Sequence, residues 1–303
     1  MSRYLSLNDY ARARFGTKLY KLALSGGMTC PNRDGTLGTR GCIFCGAAGS
    51  GEFAAAADND VTAQLEKARA IVGDKAKNAR YIAYFQSFTN TYAPVSRLRA
   101  LYEAAMAPDD VAVLSIATRP DCLPEDVVAL LSELNRRKPV WVELGLQTIH
   151  PETAAYIRRG YALPVYDDAV RRLRAAGIEV ITHMILGLPG ETPEMMRETA
   201  RYIGKSGVQG IKLQLLHVLR GTDLAADYAA GQFRVLDLPE YCGVLADCLR
   251  VLPPDMVIHR LTGDGAKRDL IAPLWSGDKK RVLNTIRRYF EDTDVRQGDG
   301  YEP

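Results

Sequence analysis

This 303-residue chain predicts an α/β fold on a parallel sheet, either doubly wound or curled into an open barrel. Three observations carry that reading. Six short apolar runs alternate with helical stretches between residues 19 and 218, the order that right-handed crossovers between parallel strands require. VAVLSIA at 111–117 is apolar on both faces, as a strand covered from both sides must be. Polar residues collect just after the runs, at Gln86–Asn90, Thr118–Asp121, Gln147, Gly187–Glu191 and His217, and such sheets hold their sites at those ends.

A short basic helix is expected in residues 1–17, and Leu19–Leu24 (LYKLAL) is the first strand. Val61, Leu65, Ala68 and Val72 repeat at helical spacing behind Asp60 as N-cap, and Tyr81–Phe85 follows as strand two. Pro94–Met106 has proline in its first helical turn, and Val111–Ala117 is strand three. Pro124–Arg137 gathers Val127, Leu130, Leu131 and Leu134 on one side, before strand four at Val140–Leu146. Gly177 stops the helix Val165–Ala176, Ile178–Leu186 is strand five, Thr192 caps a helix opening on Pro193, and Ile211–Val218 is strand six. The alternation loosens near residue 232, so three parts are expected: 1–17, 18–232, and a mainly helical extension over 233–303 with one added strand at Val257–Leu261.

A hydrophobic content of 47% and a charged content of 25% place the chain among globular enzymes rather than disordered or fibrous proteins. No apolar run approaches the ~20 residues of a membrane span, and MSRYLSLNDYARARFG has no signal-peptide apolar core, so a cytoplasmic location without membrane partners is expected. The net charge of +3 is unevenly spread. Residues 1–40 hold seven basic side chains against Asp9 and Asp34, and 267–289 are similarly lopsided, which suggests an anionic partner.

Cys30, Cys42 and Cys45 lie in CPNRDGTLGTRGCIFC, with eleven residues between the first two and two between the last two. In a reducing compartment thiols this close are metal ligands more readily than disulfide partners. Pro31, Asn32, Asp34, Gly35, Gly38, Gly41 and Gly46 let the backbone wrap a compact inorganic group. A cubane iron–sulfur cluster has four irons, so three thiolates leave one open to react. A Cys3His zinc knuckle or three buried thiols are the alternatives, and zinc needs a distant ligand because His150 is the first histidine.

The cysteine triplet followed by ELGLQT, IRRGY and HMILGLPGET resembles the radical SAM superfamily over roughly residues 18 to 220. TRPDCL, HRLTGD and APLW resemble its YhcC-like branch, a neighbour of the Elongator catalytic-subunit group, and extend the likeness through about residue 290. The resemblance implies an incomplete (β/α)6 TIM-like barrel and a [4Fe-4S] cluster on Cys30, Cys42 and Cys45. It also implies S-adenosylmethionine (SAM) on the open iron, reductive cleavage to a 5′-deoxyadenosyl radical, and a one-electron donor such as flavodoxin or ferredoxin.

Site roles follow from the same resemblance. Phe44 matches the aromatic against adenine, and Gln86 stands where relatives have glycines facing the SAM amine. Arg159 matches the arginine that pairs with the SAM carboxylate, while Arg158 reads as a solvated charge. Relatives often carry a glutamate at the position of Ala117, so Glu143 becomes the candidate for the SAM amine or ribose, with a buried ion pair as the alternative. Gln147 shares its face. His183 stands at a ribose-binding position, Ile185 and the backbone near Gly187 and Leu188 reach adenine, and Leu216 and His217 lie near the adenine edge or substrate. Cys122, Cys242 and Cys248 read as buried thiols.

The Elongator-like neighbours make tRNA the expected substrate class. Lys267, Arg268, Lys279, Lys280, Arg281, Arg287 and Arg288, with Tyr289 and Phe290 interleaved, suit phosphate and stacking contacts. The alternative is a solvated amphipathic face with Val282, Leu283 and Ile286 inward. A chain of 303 residues leaves no room for the acetyltransferase domain of Elongator proteins. The expected reaction is therefore a change to an existing wobble-uridine side chain, such as trimming a carboxymethylaminomethyl group. A radical SAM enzyme on a metabolite or protein, and a non-enzymatic zinc-binding adaptor, are the competing readings.

Overall fold

The structure, a computed structural model, describes residues 2–49, 60–73, 79–263, 265 and 267–303. Its strands in chain order are β1 (Leu19–Leu24), β2 (Arg80–Phe85), β3 (Val111–Thr118), β4 (Val140–Gln147), β5 (Glu179–Leu186), β6 (Gly210–Leu215), β7 (Val218–Leu219), β8 (Val257–Arg260) and β9 (Leu270–Ala272). The helices are α1 (Leu7–Phe15), α2 (Val61–Val72), α3 (Val95–Met106), α4 (Glu125–Asn135), α5 (Pro151–Tyr156), α6 (Leu163–Ala175), α7 (Pro193–Lys205), α8 (Asp223–Ala229), α9 (Leu238–Arg250) and α10 (Lys279–Asp292).

Strands β1 to β6 and then β8 pair in that order, all parallel, in one curled half-barrel sheet. Parallel pairing requires a crossover between neighbours, and the amphipathic helices supply it. Leu130, Leu131 and Leu134 of α4 are buried, as are Met196, Ala200 and Ile203 of α7. Capping agrees with the sequence: Asp60 accepts the amide of Thr62, and Thr192 accepts that of Met195 behind Pro193.

The expected sixth strand, Ile211–Val218, is interrupted. Leu215 ends β6, and Val218–Leu219 turns away to pair antiparallel with β9. The expected added strand is present as β8, and it lies beside β6 as the seventh member of the main sheet. Helices α5 and α8 lack an amphipathic repeat long enough to read, at six and seven residues. Asp264, in the HRLTGD segment, lies outside the described residues.

One end of the half barrel is plugged by apolar side chains. Leu19, Ile82, Val113, Trp141 and Ile181 meet there and pack on Ala11, Phe15 and Tyr10 of α1. The chain's two ends are joined beside this plug. Gln297 Oε1 accepts the amide of Leu5 at 2.9 Å, while its Nε2 donates to the carbonyls of Pro253 and Met256 at 2.5 and 2.8 Å. Removing the side chain strands three buried backbone groups, so Gln297→Ala is expected to lower unfolding stability by about 2–4 kcal/mol, read from the urea midpoint.

Candidate active site in the mouth of the half barrel

Beyond Leu24 the chain folds back on itself as a tight loop. Pro31 O accepts the amides of Leu37 (2.8 Å) and Gly38 (3.3 Å), Asn32 O accepts Gly41 N at 2.7 Å, and Cys45 N donates to Cys42 O at 3.0 Å. Gly41 adopts φ +75°, and a Cβ there would lie 2.9 Å from the Arg33 guanidinium, so only glycine fits. Arg33 Nη2 in turn donates to the carbonyls of Cys45 and Gly46 at 2.9 and 2.8 Å.

The three thiols are half-buried and face one cavity of about 250 Å3 at the C-terminal ends of the strands. Asn32 Nδ2 donates to Cys42 Sγ at 3.4 Å and to Arg158 O at 2.7 Å, which ties the loop to the turn after α5. Burial first, and then Cys45 nearby, push the Cys42 thiol up to about 11. Cys30, Cys42 and Cys45 line this cavity together. A cubane takes each thiolate on a different iron and leaves its fourth iron open to the same cavity. The donor set therefore fits a cluster.

Gln147 ends β4 in left-handed backbone, φ +70°, and lines the cavity, and its buried Oε1 has no hydrogen-bond partner among the described residues. A buried acceptor left open costs stability unless something completes it. Gln86, Phe44, Ile185, Leu216 and His217 also line the cavity, and His217 Nε2 pairs with Ser276 Oγ at 3.1 Å. Gly187 does not line it. A Cβ there would lie 3.2 Å from Leu236, and its amide donates to Met196 Sδ of α7, so these two side chains cover the turn.

Arg159 is buried in the wall, and all three of its nitrogens donate to main-chain carbonyls. Nε and Nη2 donate to Tyr161 O at 3.1 and 3.0 Å, and Nη1 donates to Thr148 O and Leu146 O at 2.5 and 3.3 Å. These bonds hold the turn, and the residue also lines the cavity. Arg119 backs it, donating to Arg159 O at 2.8 Å and clamped bidentately by Asp121, and both guanidiniums stack on Tyr161. Arg158, its side chain 32% exposed, pairs with Asp223, and its Nη1 is buried.

Glu143 is fully buried and its carboxylate is saturated. Oε1 accepts from Ser115 at 2.9 Å and Lys21 at 3.1 Å, and Oε2 accepts from His183 Nε2 at 2.7 Å and from Lys212. Burial opposes its charge, yet Lys21, Lys212 and the His183 bond hold it well below the usual carboxylate range. The ion pair weighed as the alternative for Glu143 is what stands here, and it occupies the Nε2 of His183 as well. Lys212, buried on β6, also donates to Tyr84 Oη at 3.0 Å and is pushed below its ordinary value by desolvation.

Outside the cavity, Lys267, Arg268, Lys279, Lys280, Arg281, Arg287 and Arg288 are all exposed. On α10 the inward residues are Val282, Ile286 and Phe290, while Leu283 is 41% exposed, so the expectation of Leu283 inward is corrected by one helical step.

A profile described as "Radical SAM superfamily" matches residues 35–203, and "Radical_SAM C-terminal domain" matches residues 208–292. The chain belongs to the radical SAM superfamily. The cofactors of this family are a [4Fe-4S] cluster and SAM. Uncharacterized protein YtqA of Bacillus subtilis is 47% identical over 99% of this chain and 93% of its own length. Protein YhcC of Escherichia coli is 37% identical over 93% and 91%, which places the chain in the YhcC-like branch. The tRNA uridine(34) acetyltransferase of Dehalococcoides mccartyi is 27% identical over 50% of this chain, which spans a third (33%) of that protein. Among solved structures, the Methanocaldococcus infernus Elp3 superposes with a TM-score of 0.67 at 17% identity, over 92% of this chain and 64% of that one, and so shares the fold.

Several of the side chains that organise this radical SAM site carry no motif in the sequence. Lys212 shares its run, IKLQLL, with Gln214, and Tyr84 shares YIAYF with Tyr81; the lysine in a buried strand is the one signal, and it marks Lys212 alone. Asn32 reads from sequence only as a turn former, and Arg119 as part of a motif. The buried imidazole supplies a test. Burial, then Lys212, lowers His183 from 6.5 to about 4. Between those values the unfolded chain binds the proton and the folded chain does not, so stability is full above pH 6.5 and falls as pH drops toward 4. A loss of up to about 3 kcal/mol is expected over that window, and His183→Gln should flatten the curve, measured by chemical unfolding at fixed pH. His259, lowered in the same direction, leaves part of the slope in the variant.

Proposed function

We propose that Cys30, Cys42 and Cys45 each bind one iron of the [4Fe-4S] cluster, that SAM completes the fourth, and that the enzyme acts on the side chain of a tRNA wobble uridine. The observation that carries the first part is the cavity onto which all three half-buried thiols open. When bound, the cluster supplies one electron for reductive cleavage of the SAM sulfonium bond. The chain's own residues do the placing. Asn32 fixes Cys42 and thereby the loop, and Arg159 and Arg119 hold the turn to which Asn32 is tied. Gln147 Oε1 is the open acceptor for the SAM amine, and Phe44, Ile185 and Leu216 form the apolar wall for adenine. The apolar plug under the barrel keeps water from entering below.

The RNA reading is supported by the partial match to tRNA uridine(34) acetyltransferases and by the exposed cations of α10 and the segment before it. A wobble base is already unpaired, so its entry into a barrel mouth costs little unstacking.

Anaerobically loaded, dithionite-reduced protein is expected to convert SAM to 5′-deoxyadenosine and methionine. Cys42→Ala should abolish that conversion, and Asn32→Ala should slow it roughly 10–100-fold, the usual effect of removing a support behind a metal ligand. Retained turnover in Cys42→Ala would contradict the assignment. For RNA, Arg281→Gln with Arg288→Gln should weaken binding of bulk tRNA and reduce the slope of log K against log salt by about two, one for each phosphate that a removed guanidinium had neutralised.

A further inference from the structure

Lys212, Gln214 and Leu216 recur at every second residue along β6 and just beyond it, and all three line the cavity. Gln214 therefore stands one inward step above the buried lysine and one below the apolar wall. Its register partner on β5 is Ile185, and on the other side of β5 Gln147 is paired with Met184. Two glutamines thus flank β5 at nearly one level of the chamber.

The layer beneath them is closed on itself. Glu143 accepts from Lys21, Lys212, Ser115 and His183, so the polar groups there bond to one another. Gln214 is different. The residue is half-buried, and among the described residues neither atom of its carboxamide has a hydrogen-bond partner. A carboxamide sets a donor and an acceptor side by side in one plane without charge. Its complement is a neutral planar edge that offers an acceptor beside a donor, and a nucleobase has such an edge. An occupant that completes both bonds replaces cavity water, whereas one that completes neither leaves the amide desolvated and unpaired, which is the stronger source of selection.

We propose that Gln214 reads the base of the substrate: its Oε1 accepts from the imide N3–H of a uridine and its Nε2 donates to the adjacent ring carbonyl. The inference rests on the reading that an unpaired uridine enters this cavity beside SAM, and it assigns recognition of that base to one side chain. The adenine of SAM also carries a donor beside an acceptor, so the experiment separates the two.

The test uses cluster-loaded protein with SAM bound, at one fixed salt concentration, and two anticodon stem-loop RNAs that differ only in the first anticodon base, uridine or N3-methyluridine. Methylation removes the N3–H and leaves the rest of the RNA as it was. The wild type should bind the uridine RNA at least about tenfold tighter, within the range that one bidentate contact to a base contributes. Gln214→Met, of similar length, should bind both RNAs alike and no tighter than the wild type binds the methylated one. Gln214→Leu should behave the same, which covers the case in which one variant does not fold. Equal wild-type affinities overturn the assignment and leave the RNA reading standing. A methylation penalty that persists in the variants overturns it as well, since another group then reads the edge. Weaker SAM binding in Gln214→Met places the carboxamide on adenine and overturns the proposal, and failure of the wild type to bind either RNA overturns it together with the RNA reading.

Discussion

The amide of Asn32 is the tie on which the site depends. It reaches from the cysteine loop after β1 to the carbonyl of Arg158, across the mouth of the half barrel, and touches Cys42 Sγ on the way. Without it, a loop built largely from turn residues has few side-chain anchors. Arg119 and Arg159 hold the far end by donating to the carbonyls of Arg159, Leu146, Thr148 and Tyr161. Charged side chains are thus used here to fix backbone, and the thiols inherit the rigidity of β3 and β4.

The half barrel gives the chamber a direction. At its closed end, α1 and Trp141 form an apolar plug. Above that come the lysines around Glu143, then the apolar wall of Ile185 and Leu216, then the cysteines. Each strand contributes to several levels because side chains alternate, every second residue pointing inward. A reaction that must be shielded from solvent suits a chamber open at one end.

Much of the fold is legible in the sequence because periodicity reports it directly. Val111–Thr118 is buried at every position, and its sequence is apolar enough to say so. The Val61–Val72 and Pro193–Lys205 helices announce themselves through Asp60 and Thr192. Ile211–Val218 misleads because nothing local distinguishes β6 from the turn into β7, whose partner β9 lies more than fifty residues on. The site is legible where a motif fixes the residue type, as with the three cysteines. It is not where role depends on partners. Glu143, Arg159 and His183 line the cavity, but their hydrogen bonds run to one another, to Lys21 and Lys212 and to main-chain carbonyls that the sequence pattern around them does not reveal. The partner of Arg158, Asp223, is likewise not marked by the pattern around it.

The cluster assignment is the centre of this account, and the EPR spectrum of the anaerobically prepared, dithionite-reduced protein addresses it most directly. A reduced [4Fe-4S] signal whose g-values shift when SAM is added is the predicted result, because three thiolates leave one iron for the cosubstrate. A protein carrying one tightly bound zinc and no cluster, or a cluster whose spectrum ignores SAM, would contradict it.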